Sequence, residues 1–186
     1  MEEKRLFDIL KLYIAKYPSQ EVALAKKESG SWKKYSIQKY IEITNNISYA
    51  LIKLGIKKDD KVGIICNNRP EWNMLDMAIM QVGAVTVPIY PTISKEDYHY
   101  IINDCEVKLI VLEGQSVLQK IESVKDESPS LTGVYTIGTK SDYPTFDQLV
   151  EIGKSNPDPE ELKKREDNVD EKDCATIIYT SGTTGN

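Results

Sequence analysis

Five short runs rich in β-branched residues, at 61–66, 84–88, 107–112, 131–137 and 174–179, are separated by segments of helical periodicity. No other feature restricts the fold of this chain as much. Runs this short and apolar fit strands covered on both faces. Strands that alternate with helices join through right-handed crossovers and form a parallel sheet. The predicted fold is therefore α/β: a largely parallel sheet flanked by helices on both faces. A length of 186 residues suffices for one such domain, burying roughly 70% of its extended surface.

The helices between the strands carry their own punctuation. Ser36 is a predicted N-cap, followed by Ile37, Tyr40, Ile41, Thr44, Ile47, Leu51 and Leu54 on one stripe, with Gly55 closing the helix. Asn68 is predicted to cap the next helix, with Pro70 in its first turn and Glu71 reaching back. Trp72, Leu75, Ile79 and Val82 supply its buried face, and Gly83 stops it. Ser94 and Asp97 form another capping-box start, before Tyr98, Ile101, Ile102 and Cys105. Helices are also predicted at 117–124 and 146–152, and the charged stretch 155–173 reads as a surface excursion.

Ahead of this core, residues 4–16 predict a helix whose apolar face is Leu6, Ile9, Leu10, Tyr13 and Tyr17, ended by Pro18. A small N-terminal hairpin follows, with strands at 21–27 and 32–35 around Ser29, Gly30 and Ser31. Lys26, Lys27, Lys33 and Lys34 form its wet face. Contact with anionic lipid is the alternative reading of these lysines.

Charge and composition exclude several functions. The net charge is −5, with acidic and basic residues interspersed, which argues against nucleic acid as a partner. No apolar run approaches the roughly 20 residues of a membrane span. The N-terminal residues lack a signal-peptide core, so a cytoplasmic location is expected. Cys66, Cys105 and Cys174 are far apart, form no CxxC pair, and read as small buried hydrophobes. His99 is the only histidine, and its place inside a helix points to a structural or solvated role.

The segment suited to chemistry follows the last strand. Residues 179–186 read Tyr-Thr-Ser-Gly-Thr-Thr-Gly-Asn. Glycines let the backbone approach a ligand, successive N–H groups form an anion nest, and hydroxyls add neutral donors. No bulky or acidic side chain lies between Thr180 and Gly185. The Walker pattern G-x-x-x-x-G-K-[ST] is absent. By composition alone such a loop is a plain turn as readily as a site. A place at the C-terminal end of a strand in an open sheet favours a site.

Residues 179–185 resemble the phosphate loop of the adenylate-forming (AMP-binding) superfamily, which includes acyl-CoA synthetases, luciferases and peptide-synthetase adenylation domains. Residues 81–90, with Gly83 ending a helix and a strand running to Pro88, resemble the upstream motif of that superfamily. Asn68, Arg69, Pro70, Glu71 and Trp72, with Tyr90, Pro91 and Thr92, resemble its long-chain fatty acyl-CoA synthetase branch. The resemblance covers nearly the whole chain.

It implies a two-step reaction. A fatty carboxylate attacks the α-phosphorus of ATP and releases pyrophosphate; coenzyme A then attacks the acyl-adenylate and releases AMP. It also implies that Thr180, Ser181, Gly182, Thr183, Thr184 and Gly185 hold the β- and γ-phosphates, with Mg2+ neutralising them. Residues 68–72 and 83–88 are then architectural; a ligand-facing Arg69 is the alternative. In the family the loop continues through proline, lysine and glycine. The adenine and ribose contacts, the magnesium-binding glutamate, the acyl tunnel, the catalytic lysine and most contacts to coenzyme A come from downstream segments. The chain thus reads as a partial domain, the N-terminal part of an adenylation domain cut within its phosphate loop. It is expected to be inactive alone and to self-associate through exposed apolar faces. A water-insoluble substrate implies loose peripheral membrane association. The competing readings are a ligase that adenylates another carboxylic acid and a non-catalytic interaction module.

Overall fold

The alternation of strands and helices is realised as a four-stranded parallel sheet in the order β4-β3-β5-β6. The computed structural model describes residues 4–180. Its strands are β3 (Lys61–Ile65), β4 (Val85–Pro88), β5 (Val107–Leu112) and β6 (Gly133–Thr136). The N-terminal strands β1 (Leu24–Glu28) and β2 (Ser31–Tyr35) form a separate antiparallel hairpin. Ser29 and Gly30 connect them with φ of 49° and 84°. Two positive φ values in a two-residue loop match the right-handed twist of the flanking strands.

The helices are α1 (Asp8–Lys16), α2 (Ile37–Lys53), α3 (Pro70–Gln81), α4 (Lys95–Asp104), α5 (Gln115–Lys125), α6 (Phe146–Ser155) and α7 (Pro159–Asp167). They divide between the two faces of the sheet because β-strand side chains alternate. Val62, Ile64, Leu109, Val111 and Tyr135 point into a core shared with α2, α3 and α6. Ile65, Ile110, Leu112 and Val134 point into a second core shared with α4 and α5. The α2 stripe of Ile37, Tyr40, Thr44, Ile47 and Leu51 is buried as the spacing predicts. Burying one such Leu or Ile contributes about 2 kcal/mol. Ser36 caps α2 by accepting from the Lys39 N–H, and the Ser94–Asp97 capping box on α4 is complete.

Several expectations are corrected. The face of α1 is rotated: Phe7 and Leu10 are buried, whereas Leu6 and Ile9 are 60% and 54% exposed. The cause is tertiary. Arg5 clamps the Asp8 carboxylate at 2.9 Å, donates to the Glu166 carbonyl and lies over the Phe7 ring at 4.6 Å, which turns Phe7 inward. Leu54, at the C-cap of α2, ends the stripe exposed. Arg69, not Asn68, occupies the N-cap of α3, with extended φ and ψ and no side-chain cap. Glu71 does not reach back, because Arg69 and Lys26 hold its carboxylate.

The stretch 155–173 is not merely a surface excursion. Asp158 accepts from the Glu161 N–H and starts α7, with Pro159 in its first turn. Leu162 packs into the core, and the buried Glu166 receives Lys11 at 2.6 Å. Residues 174–179 are not a buried strand. They touch β4 through one parallel bridge, Thr86↔Thr176, with hydrogen bonds of 3.0 Å from Thr86 to Ala175 and from Ile177 to Thr86. Among the described residues no strand lies on their other side, so exposure alternates and Ile178 is 60% exposed. Cys105 is buried as expected, but Cys66 is half-buried and Cys174 exposed. Lys26 is not part of a wet face, for it turns inward onto Glu71.

Candidate functional site

Strand order fixes where a ligand crevice belongs. β3 and β5 are sheet neighbours, yet β3 continues to α3 on one face and β5 to α5 on the other. Connections diverging from adjacent parallel strands open a crevice at their C-terminal ends. Here Cys66, Asn67 and Arg69 arrive from β3, and Glu113 from β5.

Side chains of the chain itself fill this crevice. The Asn67 N–H and side-chain amide donate to Glu113 Oε2 at 3.1 and 3.3 Å. Arg69 Nη1 donates to Glu113 Oε1 at 2.6 Å. Arg69 Nε and Nη2 straddle Glu71 at 2.9 and 3.1 Å, and Lys26 Nζ reaches Glu71 Oε1 at 2.8 Å. Lys26 Nζ also lies 3.3 Å from the more exposed Glu28, so two cations meet three carboxylates and the cluster is formally −1. Burial alone would push the Glu71 carboxyl up, but hydrogen bonds from Arg69 and Lys26 outweigh it and hold it at about 2. Burial likewise works against Lys26, and the Glu71 carboxylate reverses the effect and raises it. The Cys66 thiol is pushed up to about 12 by burial and by Glu113, which makes it a poor nucleophile. Arg69 is therefore committed to internal partners. Sequence reasoning missed Glu113 and Lys26; the available signal for Glu113 was its position directly after a buried strand.

The second element is the root of the predicted phosphate loop. Past Thr176, the chain leaves the edge of β4 and passes over α4. Ile177 and Tyr179 pack against the α4–α5 core. Tyr179 donates its phenol to Asp104 Oδ2 at 2.5 Å and meets the Tyr100 ring edge-on at 6.2 Å. Burial, and then the hydrogen bond to Asp104, raise the Tyr179 phenol, so it stays protonated as a donor. Thr180 is exposed at the end of this anchored segment. Ser181, Gly182, Thr183, Thr184 and Gly185 lie outside the described residues. Tyr179→Phe should cost about 1 kcal/mol in a denaturant titration, the net worth of one hydrogen bond, and should speed amide exchange at Ile177.

His99 lies on α4 and faces Glu127 at 3.4 Å on the surface. Among the described residues no group of three His, Cys, Asp or Glu side chains could hold a metal ion. Also among them, no helix is long and apolar enough to cross a membrane.

Comparison with known proteins gives consistent results. The profile of the family described as "AMP-binding enzyme" matches residues 11–186. The long-chain-fatty-acid–CoA ligase ACSBG2 of Xenopus laevis is 37% identical over 169 residues, covering 88% of this chain and 23% of that protein. The long-chain-fatty-acid–CoA ligase FadD15 of Mycobacterium bovis is 40% identical over 147 residues, covering 77% of this chain and 24% of that protein. The chain thus spans about a quarter of the length of these relatives. Among solved structures, a long-chain-fatty-acid-CoA ligase from Archaeoglobus fulgidus superposes with a TM-score of 0.75 at 22% identity, covering 98% of this chain and 36% of that one. The luciferase-like enzyme of the mealworm Zophobas morio gives 0.78 at 20% identity, covering 99% and 41%. At such identities these two report the fold alone.

Proposed function

The chain belongs to the AMP-binding enzyme family, and from that premise we propose that it is the N-terminal part of an ATP-dependent long-chain fatty acyl-CoA synthetase. The observation that carries this reading is the similarity to long-chain-fatty-acid–CoA ligases over most of the chain. In this reading the protein activates a fatty carboxylate as its acyl-adenylate, with loss of pyrophosphate. It then passes the acyl group to the thiol of coenzyme A, with loss of AMP. Adenylation is needed because a bare carboxylate has no good leaving group.

Within this scheme the chain supplies the start of the phosphate grip. Thr180, Ser181, Gly182, Thr183, Thr184 and Gly185 hold the β- and γ-phosphates through backbone N–H groups and hydroxyls. Anchoring of Tyr179 on Asp104 supports this role, because a loop fixed at its root loses less entropy on binding. The ion-paired cluster around Arg69 and Glu113 is architecture rather than a ligand site. Mg2+ would accompany ATP and neutralise its phosphates, but the described side chains offer no ligand set for it. The proposed location is cytoplasmic.

Calorimetric titration of MgATP tests the reading. The full-length protein should bind, and changing Thr183 and Thr184 together to alanine should weaken binding at least tenfold, since two hydroxyl bonds to charged oxygens are lost. Residues 1–186 alone should form no acyl-CoA. No MgATP binding by the full-length protein would sink the adenylation reading. Preference for an aromatic or amino acid over a long-chain fatty acid would replace the substrate class.

A further inference from the structure

The β1–β2 hairpin has two unlike faces. Its register pairs Leu24 with Tyr35 and Lys26 with Lys33, and pairs Ala25 with Lys34 and Lys27 with Trp32. Cross-strand partners share a face. The inner face is anchored: Tyr35 is buried, Leu24 packs against the core, and Lys26 is held by Glu71 at 2.8 Å. The outer face presents Ala25, Lys27, Trp32 and Lys34, all exposed, with Trp32 62% exposed. Among the described residues Lys27 and Lys34 meet no carboxylate.

This face is unusual on two grounds. A tryptophan is seldom left so bare, and the lysines flanking it form a cationic patch on a chain of net charge −5. An indole beside lysines matches the interfacial layer of a bilayer, where the ring enters the headgroup region and the ammonium groups meet phosphate.

We propose that the outer face of the β1–β2 hairpin docks on an anionic phospholipid bilayer. A lipid surface is favoured over an acidic protein because a long-chain fatty acid partitions into bilayers, and to that extent the inference rests on the proposed function. The hairpin needs no rearrangement to dock, since its inner face is already fixed by Lys26, Leu24 and Tyr35. Binding is reversible: each lysine near such a surface strengthens it about fivefold, and salt weakens it.

The test is co-sedimentation of the full-length protein, without acid or ATP, with vesicles of phosphatidylcholine alone and of phosphatidylcholine with phosphatidylglycerol. Preferential binding to the anionic vesicles is expected. Lys27→Gln with Lys34→Gln should weaken it about 25-fold, and Trp32→Ser should weaken it further. Melting temperatures of the variants should stay unchanged, which separates lost docking from lost folding. Equal binding to both vesicle types, undiminished binding of the double variant, or no vesicle binding would overturn the proposal. Retention on poly-glutamate without vesicle binding would also overturn it, and would give the surface to an acidic protein. Acyl-CoA formation from a long-chain fatty acid delivered on albumin, without vesicles, is assayed separately. Its failure would count against the proposed function and leave the vesicle result intact.

Discussion

Glu71→Ala should destabilise this chain by about 3 kcal/mol, because it removes the carboxylate that two mostly buried cations share. Lys26 and Arg69 have side chains only 16% and 14% exposed, and both converge on this one carboxylate. Arg69 keeps Glu113 at 2.6 Å and Lys26 keeps the exposed Glu28 at 3.3 Å, which holds the loss near the lower end for a broken buried pair. Glu71→Gln should lose less, as the amide oxygen still accepts one hydrogen bond. The cluster also fixes a pH dependence. Glu71 is held at about 2, against 4.5 for an ordinary glutamate. Its contribution is therefore present above 4.5 and is lost as the pH falls from there towards 2, amounting to about 3 kcal/mol over that window. Lys26 gives the opposite arm: it is raised above 10.5, so its share is full below that value and lost as the pH rises past it. Urea titrations across pH check both arms. An acid arm that persists unchanged in Glu71→Gln would assign it to another carboxylate.

Gly153→Ala should cost about as much, for a steric reason. Gly153 sits where α6 crosses α2, and a Cβ there would land on the carbonyl oxygen of Asn46 and reach within 3.0 Å of the Ala50 nitrogen. Alanine ordinarily stabilises a helix interior over glycine by about 0.5–1 kcal/mol. Overpacking costs typically 1–3 kcal/mol and more where backbone must move. The obstacle here is backbone rather than a flexible side chain, so the steric cost wins, and a net loss of about 3 kcal/mol is expected. Lys154→Ala on the exposed neighbour should shift stability by less than about 0.5 kcal/mol. A Gly153→Ala denaturation midpoint at or above that of the parent would show that α6 moves away without cost.

Much of the scaffold was legible because it depends on local chemistry. The β-branched runs at Lys61–Ile65, Val85–Pro88 and Val107–Leu112 became parallel strands, and Ser36 and Ser94 capped helices where their neighbours required it. Helix α7 was hidden because Leu162 and Glu166 are its only buried residues; its Asp158-Pro159 start was the available signal. The cap of α3 was misplaced because Asn68 is a good capping residue by type, whereas the guanidinium of Arg69 binds Glu71 in space.

Sequence alone therefore determined the alternation of strands and helices and the parallel sheet, and it is in sequence that residues 179–185 resemble a phosphate loop. These follow from periodicity, capping and glycine placement, which act within a few residues. Tertiary structure alone decided the rest. Arg5 turned Phe7 inward, Glu113 closed the switch-point crevice, Asp104 anchored Tyr179, and Asn46 left no room for a side chain at Gly153. Each of these joins residues tens of positions or more apart, or depends on such a contact. Which donors meet which acceptors is set by how the layers pack, and no local pattern encodes that packing.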